Sequence, residues 1–250
     1  MRIISLLILA ACAGGTDTPG ETDKTDDTEV SGWTAPEAGV ISLTTRDSVV
    51  LEADYLPAAT EGASAVILLH MIPPNATRAD WPAAFRTDLA DNGWSVIAVD
   101  RRGAGGSGGV ASEAYTGEKG RYDVEACAKK LSEDGYGKIA IIGASNGTTS
   151  MIDYAAWAAS ESLPEPVGLG FMSGGGYTES QTAMSAVPQI PMVFQYPPSE
   201  ATWPDAQKAL DPGTWQFKSY DNGAHGTRLF TTTHDAEVRT DLVDFLKGVL

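Results

Sequence analysis

Residues 139–151 read IAIIGASNGTTSM, and Ser145 lies between two glycines at the end of an apolar run. Four apolar residues in a row are typical of a buried strand, and the segment that follows the serine has helical periodicity. The Gly-x-Ser-x-Gly match alone is weak in a chain of 250 residues with 27 glycines. Because the strand and the helix are predicted independently of the motif, the stretch indicates a nucleophile elbow, in which Gly143 and Gly147 let the backbone turn sharply.

The rest of the chain repeats this alternation of short apolar runs and amphipathic segments. Ahead of the alternation, GVISLTTRDSVVLEADYLP predicts a β-hairpin, and the final segment DAEVRTDLVDFLKGVL predicts a helix. Unbroken apolar runs flanked by helices are what a parallel sheet covered on both faces requires, so we predict an α/β fold. The apolar runs are residues 65–70, 94–100, 138–143, 167–173, 190–196 and 215–220.

Composition and charge limit the classes of function. Hydrophobic residues make up 42% of the chain, enough for one substantial core, and we assign residues 33–250 to one domain. The formal net charge of −16 argues against a nucleic-acid partner, because phosphates require a basic surface. Cys127 lies in a helical pattern and is expected to be a buried, inert thiol.

The sequence contains one match to a cofactor-binding motif, which lacks the helix that the motif requires. Residues 103–108 match the dinucleotide pattern Gly-x-Gly-x-x-Gly, which binds a pyrophosphate only if its last glycine opens a helix. Helical periodicity resumes only near Arg121. The chain also has no Cys/His spacing of the zinc type, so we expect neither a cofactor nor a metal.

The N-terminus predicts export. Arg2 precedes the apolar residues 3–13, a run that is too short to span a bilayer but fits a secretory signal over residues 1–12. The end of that run, LAAC, resembles the lipobox of bacterial lipoproteins, which implies a lipid on Cys12 and a place on a membrane of the cell envelope. Ordinary signal cleavage at the same small residues, which releases a secreted soluble protein, is the alternative. Residues 13–32 hold six acidic residues against one lysine and predict a flexible, acidic tether.

A serine nucleophile needs a base, normally a histidine held by a carboxylate. His225 lies in a glycine-rich loop directly after the last apolar run. His234 precedes the C-terminal helix and is expected to be a cap-region residue, and His70 ends an apolar run, where we expect it to pack the adjoining loop. Glu200 follows the run 190–196, as the carboxylate of such a set should. Asp205 and Asp211, in and beside the segment WPDAQKAL, are its competitors.

Three further stretches carry a family resemblance. Residues 100–107, DRRGAGGS, are similar to the Asp-x-Arg-Gly-x-Gly-x-Ser motif of α/β-hydrolases, and residues 70–73, HMIP, resemble the family's His-Gly-x-Pro. Residues 197–204, PPSEATWP, resemble the pattern Gly-x-x-Asp-x-x-x-Pro that carries the acid, with Glu200 in place of aspartate. The chain therefore resembles an α/β-hydrolase of the small serine esterase and dienelactone-hydrolase-like group.

The resemblance implies a site. In the family's chain order of serine, acid and histidine, Ser145, Glu200 and His225 correspond to the catalytic triad. The backbone N–H groups of Ile72 and Asn146 correspond to the oxyanion hole. Dienelactone hydrolases proper use a cysteine nucleophile, so the serine points to esterase chemistry. Two departures from the family's pattern are Met71 and Pro197, each of which replaces a glycine.

These residues predict a serine hydrolase of small carboxylic esters with an open pocket. The segment GGGYTESQTAMSAVPQ between the fourth and fifth apolar runs is too short for a large cap. Met71, Trp81 and Trp203 are expected to form pocket walls. The alternatives are a catalytically inactive hydrolase-fold lipoprotein that serves as a surface binding module, or a peptidase or acyltransferase on the same scaffold.

Overall fold

One eight-stranded sheet organises the computed structural model of the protein, which describes residues 32–250. The strands are β1 (Gly39–Thr44), β2 (Val50–Leu56), β3 (Ala65–Leu69), β4 (Ser95–Val99), β5 (Ile139–Ala144), β6 (Pro166–Met172), β7 (Met192–Tyr196) and β8 (Trp215–Ser219). Their order across the sheet is β1-β2-β4-β3-β5-β6-β7-β8. The predicted hairpin is confirmed as the antiparallel pair β1–β2, and β2 also runs antiparallel to β4. All other pairings are parallel, as the unbroken apolar runs predict.

Helices cover both faces of the sheet. They are α1 (Ala83–Asp91), α2 (Gly120–Glu133), α3 (Gly147–Trp157), α4 (Thr202–Gln207) and α5 (Asp235–Val249). On one face, Phe85 of α1 and Leu242 of α5 belong to a buried apolar cluster. On the other face, Cys127 of α2 and Met151 of α3 belong to a second buried cluster. Burial in that cluster raises the pKa of the Cys127 thiol, which keeps it protonated and unreactive, as expected.

The topology fixes where a site can form. The first parallel strand in the chain, β3, lies between β4 and β5. The connection from β3 to β4 therefore runs toward one edge of the sheet, and the connection from β4 to β5 runs back past β3 toward the other edge. Ligands of open α/β sheets bind in the crevice outside the carboxyl ends of the strands at such a point. The loops after β3 and β5 meet in this crevice, and they contain residues 70–82 and Ser145.

The glycine-rich residues 103–108 do not open a helix. They form a tight turn closed by the Gly103 N–H, which donates to the Gly108 carbonyl at 2.8 Å. The next α-helix, α2, begins only at Gly120. The Asp100 carboxylate fills the space inside the turn and accepts a hydrogen bond from the Gly106 N–H at 3.0 Å. The turn therefore anchors Asp100, and it does not offer the helix N-terminus that a dinucleotide needs.

Three sequence-based predictions lie outside the described residues. They are the export signal over residues 1–12, the lipid on Cys12, and all but the last residue of the tether at 13–32. Among residues 32–250, no helix is both long enough and apolar enough to cross a membrane.

Candidate active site

Ser145 lies on a strained turn between β5 and α3. Its φ of +49° is in the left-handed region, which residues other than glycine rarely adopt. Its N–H donates to the Met172 carbonyl at 2.7 Å and thereby ties the turn to the neighbouring strand. A Cβ on Gly147 would lie 2.4 Å from the Leu69 carbonyl oxygen, so the elbow excludes any larger residue there. This is the geometry that residues 139–151 predict.

The structure brings together the three residues of the predicted triad. The Ser145 Oγ lies 2.5 Å from His225 Nε2, and His225 Nδ1 lies 2.8 Å from Glu200 Oε1. Because the carboxylate only accepts, Nδ1 carries the proton and Nε2 is free to accept the Ser145 proton. The imidazole is 38% exposed and the carboxyl group 30% exposed. Glu200 Oε2 is buried and accepts no hydrogen bond from the described residues.

Separate loops position the histidine and the acid. Glu200 ends a 3₁₀ turn, Pro198–Glu200, directly after β7. His225 precedes another 3₁₀ turn, Gly226–Thr231, whose first N–H donates to Ser173 Oγ at 2.9 Å. Gly226 has a φ of +59°, and a Cβ there would lie 2.6 Å from Met71 Sδ. A larger residue at position 226 would strain the backbone and displace the Met71 side chain beside His225, a constraint that the sequence alone does not reveal.

The competing acids serve other purposes. Asp205 lies on α4 and forms an ion pair with Lys208 at 2.7 Å. Asp211 Oδ1 accepts hydrogen bonds from the backbone N–H groups of three successive residues, the last of which is the first residue of β8. His234 occupies the N-cap position of α5, as expected, and Glu237 and a backbone carbonyl raise its pKa.

Two backbone N–H groups next to the Ser145 site have no hydrogen-bond acceptor in the described part of the chain. They belong to Ile72 and Asn146. Ile72 is 43% exposed and lines a cleft of about 150 Å³. The residues that line this cleft are Met71, Ile72, Asn75, Ala76, Ser145, His225 and Arg228.

His70 packs the loop after β3, as the sequence predicts. It is fully buried, and its Nε2 accepts the Arg101 N–H at 2.8 Å. The other ring nitrogen, Nδ1, therefore carries the proton and donates to the Met71 carbonyl at 2.9 Å. Burial, together with the nearby Arg101 charge, lowers the pKa of His70 to about 3. The imidazole therefore stays neutral at physiological pH and connects the Met71 carbonyl to the Arg101 backbone N–H.

Only one of the three predicted pocket walls lines the cleft. Met71 does so. Trp81 is fully buried in the core, where it packs on Phe85 and Phe230, so the prediction for Trp81 is wrong. Trp203 packs on the aromatic core residues of β6 and β7 and likewise lies outside the cleft lining. Both tryptophans come from amphipathic segments whose apolar faces the sheet buries.

Tyr177 is a site residue that sequence analysis misses. Its hydroxyl donates to the Ser173 carbonyl, and its pKa responds to the Ser145 side chain nearby. Burial of the hydroxyl raises the pKa of Tyr177 to about 12, so the phenol remains protonated. The Tyr177 N–H donates to Gln181 Oε1 at 3.0 Å, and Gln181 in turn accepts from Thr149 of α3. No motif marks this segment, because its contacts depend on the tertiary fold.

The comparisons with solved structures identify the fold. An esterase of Pyrococcus furiosus superposes with a TM-score of 0.66 at 20% identity, covering 85% of this chain and 91% of that one. An α/β serine hydrolase without lid from Xanthomonas campestris gives 0.65 at 16% identity, with coverages of 87% and 97%. The chain has the α/β-hydrolase fold. An esterase from a Rhodococcus species agrees, at 0.62 and 14% identity, with coverages of 85% and 100%.

Comparisons of the sequence with family models and with curated proteins do not identify a family. No family model and no curated protein matches the chain. These structural neighbours are esterases and an α/β serine hydrolase. The fold of residues 32–250, which hold no large cap domain, is what the resemblance of the sequence implies. Identities of this size establish the fold, and the chemistry has to be argued from the site.

Proposed function

We propose that this protein is a serine hydrolase that cleaves small carboxylic esters through an acyl-enzyme. The observation that carries the proposal is the unbroken chain from Ser145 Oγ through the imidazole of His225 to Glu200, with contacts of 2.5 and 2.8 Å. A nucleophile, a base and an orienting carboxylate within hydrogen-bond reach are the components of acyl transfer. The names of the structural neighbours, which are esterases, support the same reaction class.

In the first half of the reaction Ser145 Oγ attacks the ester carbonyl carbon while its proton passes to His225 Nε2. Glu200 keeps the ring in the correct tautomer and stabilises the imidazolium that forms. The carbonyl oxygen becomes an oxyanion, which accepts hydrogen bonds from the N–H groups of Ile72 and Asn146. Each of these hydrogen bonds would stabilise the transition state by about 3 kcal/mol. Collapse expels the alkoxide, which leaves as an alcohol with the proton from His225.

The second half hydrolyses the acyl-serine. A water molecule gives a proton to His225 as it attacks the acyl carbon, and a second oxyanion forms at the same two N–H groups. The Ser145 oxygen then leaves with that proton, and the carboxylic acid is released. The residues therefore return to their starting protonation states after each turnover.

The cleft favours small substrates. Its volume of about 150 Å³ is below the range of roughly 300–1,000 Å³ that is typical of sites for drug-sized ligands. The connection from β6 to β7 spans residues 173–191 and contains one 3₁₀ turn, Met184–Ala186. No element there covers the cleft with a tunnel for a long acyl chain.

Hydrolysis of p-nitrophenyl esters of increasing length tests the proposal. We expect the acetate and butyrate esters to have a higher kcat/KM than the palmitate ester, measured with purified full-length protein. A preference for palmitate would contradict the substrate class. No turnover of any ester would favour the alternatives of a surface binding module or a hydrolase of another acyl derivative.

We also propose that the protein is exported and anchored to a bacterial membrane through a lipid on Cys12. The support is the sequence LAAC at the end of the apolar run and the acidic stretch behind it. In a bacterial host, Cys12→Ser should move the protein from the membrane fraction to the soluble fraction. Mass spectrometry that finds an unmodified N-terminus at Gly14 would show that the protein is secreted without an anchor.

A further inference from the structure

We propose that Arg101 is a positioning residue of the oxyanion hole, which holds the Met71–Ile72 peptide and Asn146 from behind and directs positive charge at the oxyanion. This inference rests on the proposed function, because it assigns a role within the same reaction. Arg101 does not face the cleft and would not touch the substrate. Its effect passes through the two backbone N–H groups that would bind the oxyanion.

Arg101 contacts both sides of the oxyanion hole with one nitrogen. The guanidinium is fully buried, and its Nη1 donates to the Met71 carbonyl at 3.1 Å and to Asn146 Oδ1 at 3.0 Å. The same nitrogen also lies 3.3 Å from the His70 carbonyl. Its other terminal nitrogen, Nη2, donates to the Ala114 carbonyl at 2.6 Å and to Ser150 Oγ at 2.9 Å. The loop after β3 and the first turn of α3 are therefore joined through a single side chain.

The contact with the Met71 carbonyl fixes the direction of the Ile72 N–H. The two groups belong to one peptide unit, which is trans, so they point in opposite directions. The carbonyl oxygen accepts from Arg101 Nη1 and from His70 Nδ1, which uses both of its lone pairs. Rotation of this peptide would break both bonds inside the protein, where neither donor could find water. The Ile72 N–H is therefore held toward the cleft.

The charge of Arg101 has no carboxylate to neutralise it directly. All its hydrogen-bond acceptors are carbonyl, amide or hydroxyl oxygens. Burial lowers the pKa of Arg101 to about 10, which still leaves it protonated at neutral pH. The neighbouring Arg102 is equally buried, but it is paired with Asp123 at 2.8 Å and with Asp47 at 2.9 Å.

This placement is unfavourable for stability. A buried cation with no carboxylate in hydrogen-bond contact is costly, even though Asp123 and Asp153 favour its charge from a greater distance. Arg101 also lies at the N-terminus of α3, where the helix dipole is positive and repels it. The arrangement has a clear benefit only when a negative charge develops nearby, as it does on the substrate oxygen during acyl transfer.

The adjacent arginines supply a matched pair of variants. Arg101→Lys keeps the charge but cannot hold Met71 and Asn146 together with Ala114 and Ser150. We expect its kcat on p-nitrophenyl butyrate to fall about 10- to 100-fold with little change in KM, less than the loss of one complete donor. An alkyl boronic acid, which mimics the tetrahedral intermediate, should bind more weakly by the same factor. Arg102→Lys should lower the Tm as well but leave kcat within about twofold of the wild type.

The outcomes separate this inference from the proposed function. If the wild type hydrolyses no ester, the proposed function fails. If the wild type is active and both lysine variants retain equal kcat and equal boronic acid affinity, Arg101 is only structural and the inference is wrong.

A second variant keeps the test decisive if Arg101→Lys does not fold. Asn146→Ala retains the backbone N–H and removes only the contact with Arg101, because the Asn146 side chain does not cap α3. We expect kcat and boronic acid affinity both to fall by about fivefold, which is less than the loss in kcat that follows removal of a complete oxyanion-hole donor. Unchanged values in a folded Asn146→Ala would overturn the inference.

Discussion

The candidate site has two sides. On the first side of Ser145 lie His225 and Glu200, whose side chains are 38% and 30% exposed. On the second side lie the N–H groups of Ile72 and Asn146, which the fully buried Arg101 holds in place. The first side consists of side chains that would carry the chemistry themselves. The second consists of backbone groups whose direction depends on packing behind them. Substitutions on the first side should therefore change kcat while the fold survives, whereas substitutions on the second should change kcat and stability together.

The largest expected effect separates the two sides most cleanly. Ser145→Ala removes the nucleophile but keeps the backbone turn, and we expect kcat to fall by about 10⁶. The Tm should stay within a few degrees of the wild type, because the Ser145 hydroxyl is bonded only within the site. Ester hydrolysis and thermal unfolding of the purified variant measure both quantities. Substantial remaining activity would mean that another group carries the reaction.

Glu200→Gln should lower kcat by about 10⁴ without unfolding the protein, because an amide holds the imidazole in the wrong tautomer and cannot stabilise the imidazolium. The matched control is Asp205→Asn, which removes an exposed carboxylate bonded only to Lys208 and should leave kcat unchanged. Steady-state kinetics, with circular dichroism on each variant, compare the two. Near-normal activity in Glu200→Gln would show that Glu200 is not the acid of the triad.

Gly226 lies between His225 on the first side and Met71 on the second, so a substitution there should change both kcat and stability. A methyl group there would press on Met71 Sδ and would place alanine at a φ of +59°. We expect Gly226→Ala to lower kcat about 10-fold and to destabilise the fold by about 1 kcal/mol. The control is Gly213→Ala, which has a φ of +95° but nothing within 4 Å, and which should lose stability only. Equal kcat in the two variants would show that the Met71 loop is insensitive to this contact.

The buried side should also make stability depend on pH. The pKa of His70 is about 3 when folded, against an ordinary value of roughly 6.5, so between these values only the unfolded chain binds the proton. Stability is therefore full above about pH 6.5 and should fall by about 1.4 kcal/mol for each pH unit below it. Urea unfolding at pH 7, 6 and 5 should show this slope in the wild type and a smaller one in His70→Gln. Equal slopes would exclude His70 as the cause.

The two sides also differ in how far the sequence predicts them. The eight strands and the elbow at Ser145 follow from local patterns, because apolar runs and tight turns are properties of short segments. The pairing of Glu200 with His225 is expected only from the chain order and motifs that resemble those of α/β-hydrolases. Trp81 shows the limit, since an aromatic residue at a loop end looks the same whether it faces a cleft or the core. The role of Arg101 cannot be predicted from the sequence, because its partners come from three segments that meet only in the folded protein: the loop after β3, the turn that ends at Ala114 and the start of α3.

If Ser145 is an activated nucleophile, as we propose, it should react with a fluorophosphonate probe, and this reaction is the most direct test. The probe forms a bond to the serine oxygen only when a base removes its proton, so an unactivated serine stays unlabelled. Mass spectrometry of the peptide that contains residues 139–151 should find the probe on Ser145 in the wild type. Labelling should be absent in Ser145→Ala and much slower in Glu200→Gln. An unlabelled wild-type Ser145 in the folded protein, or a label on another residue, would contradict the account.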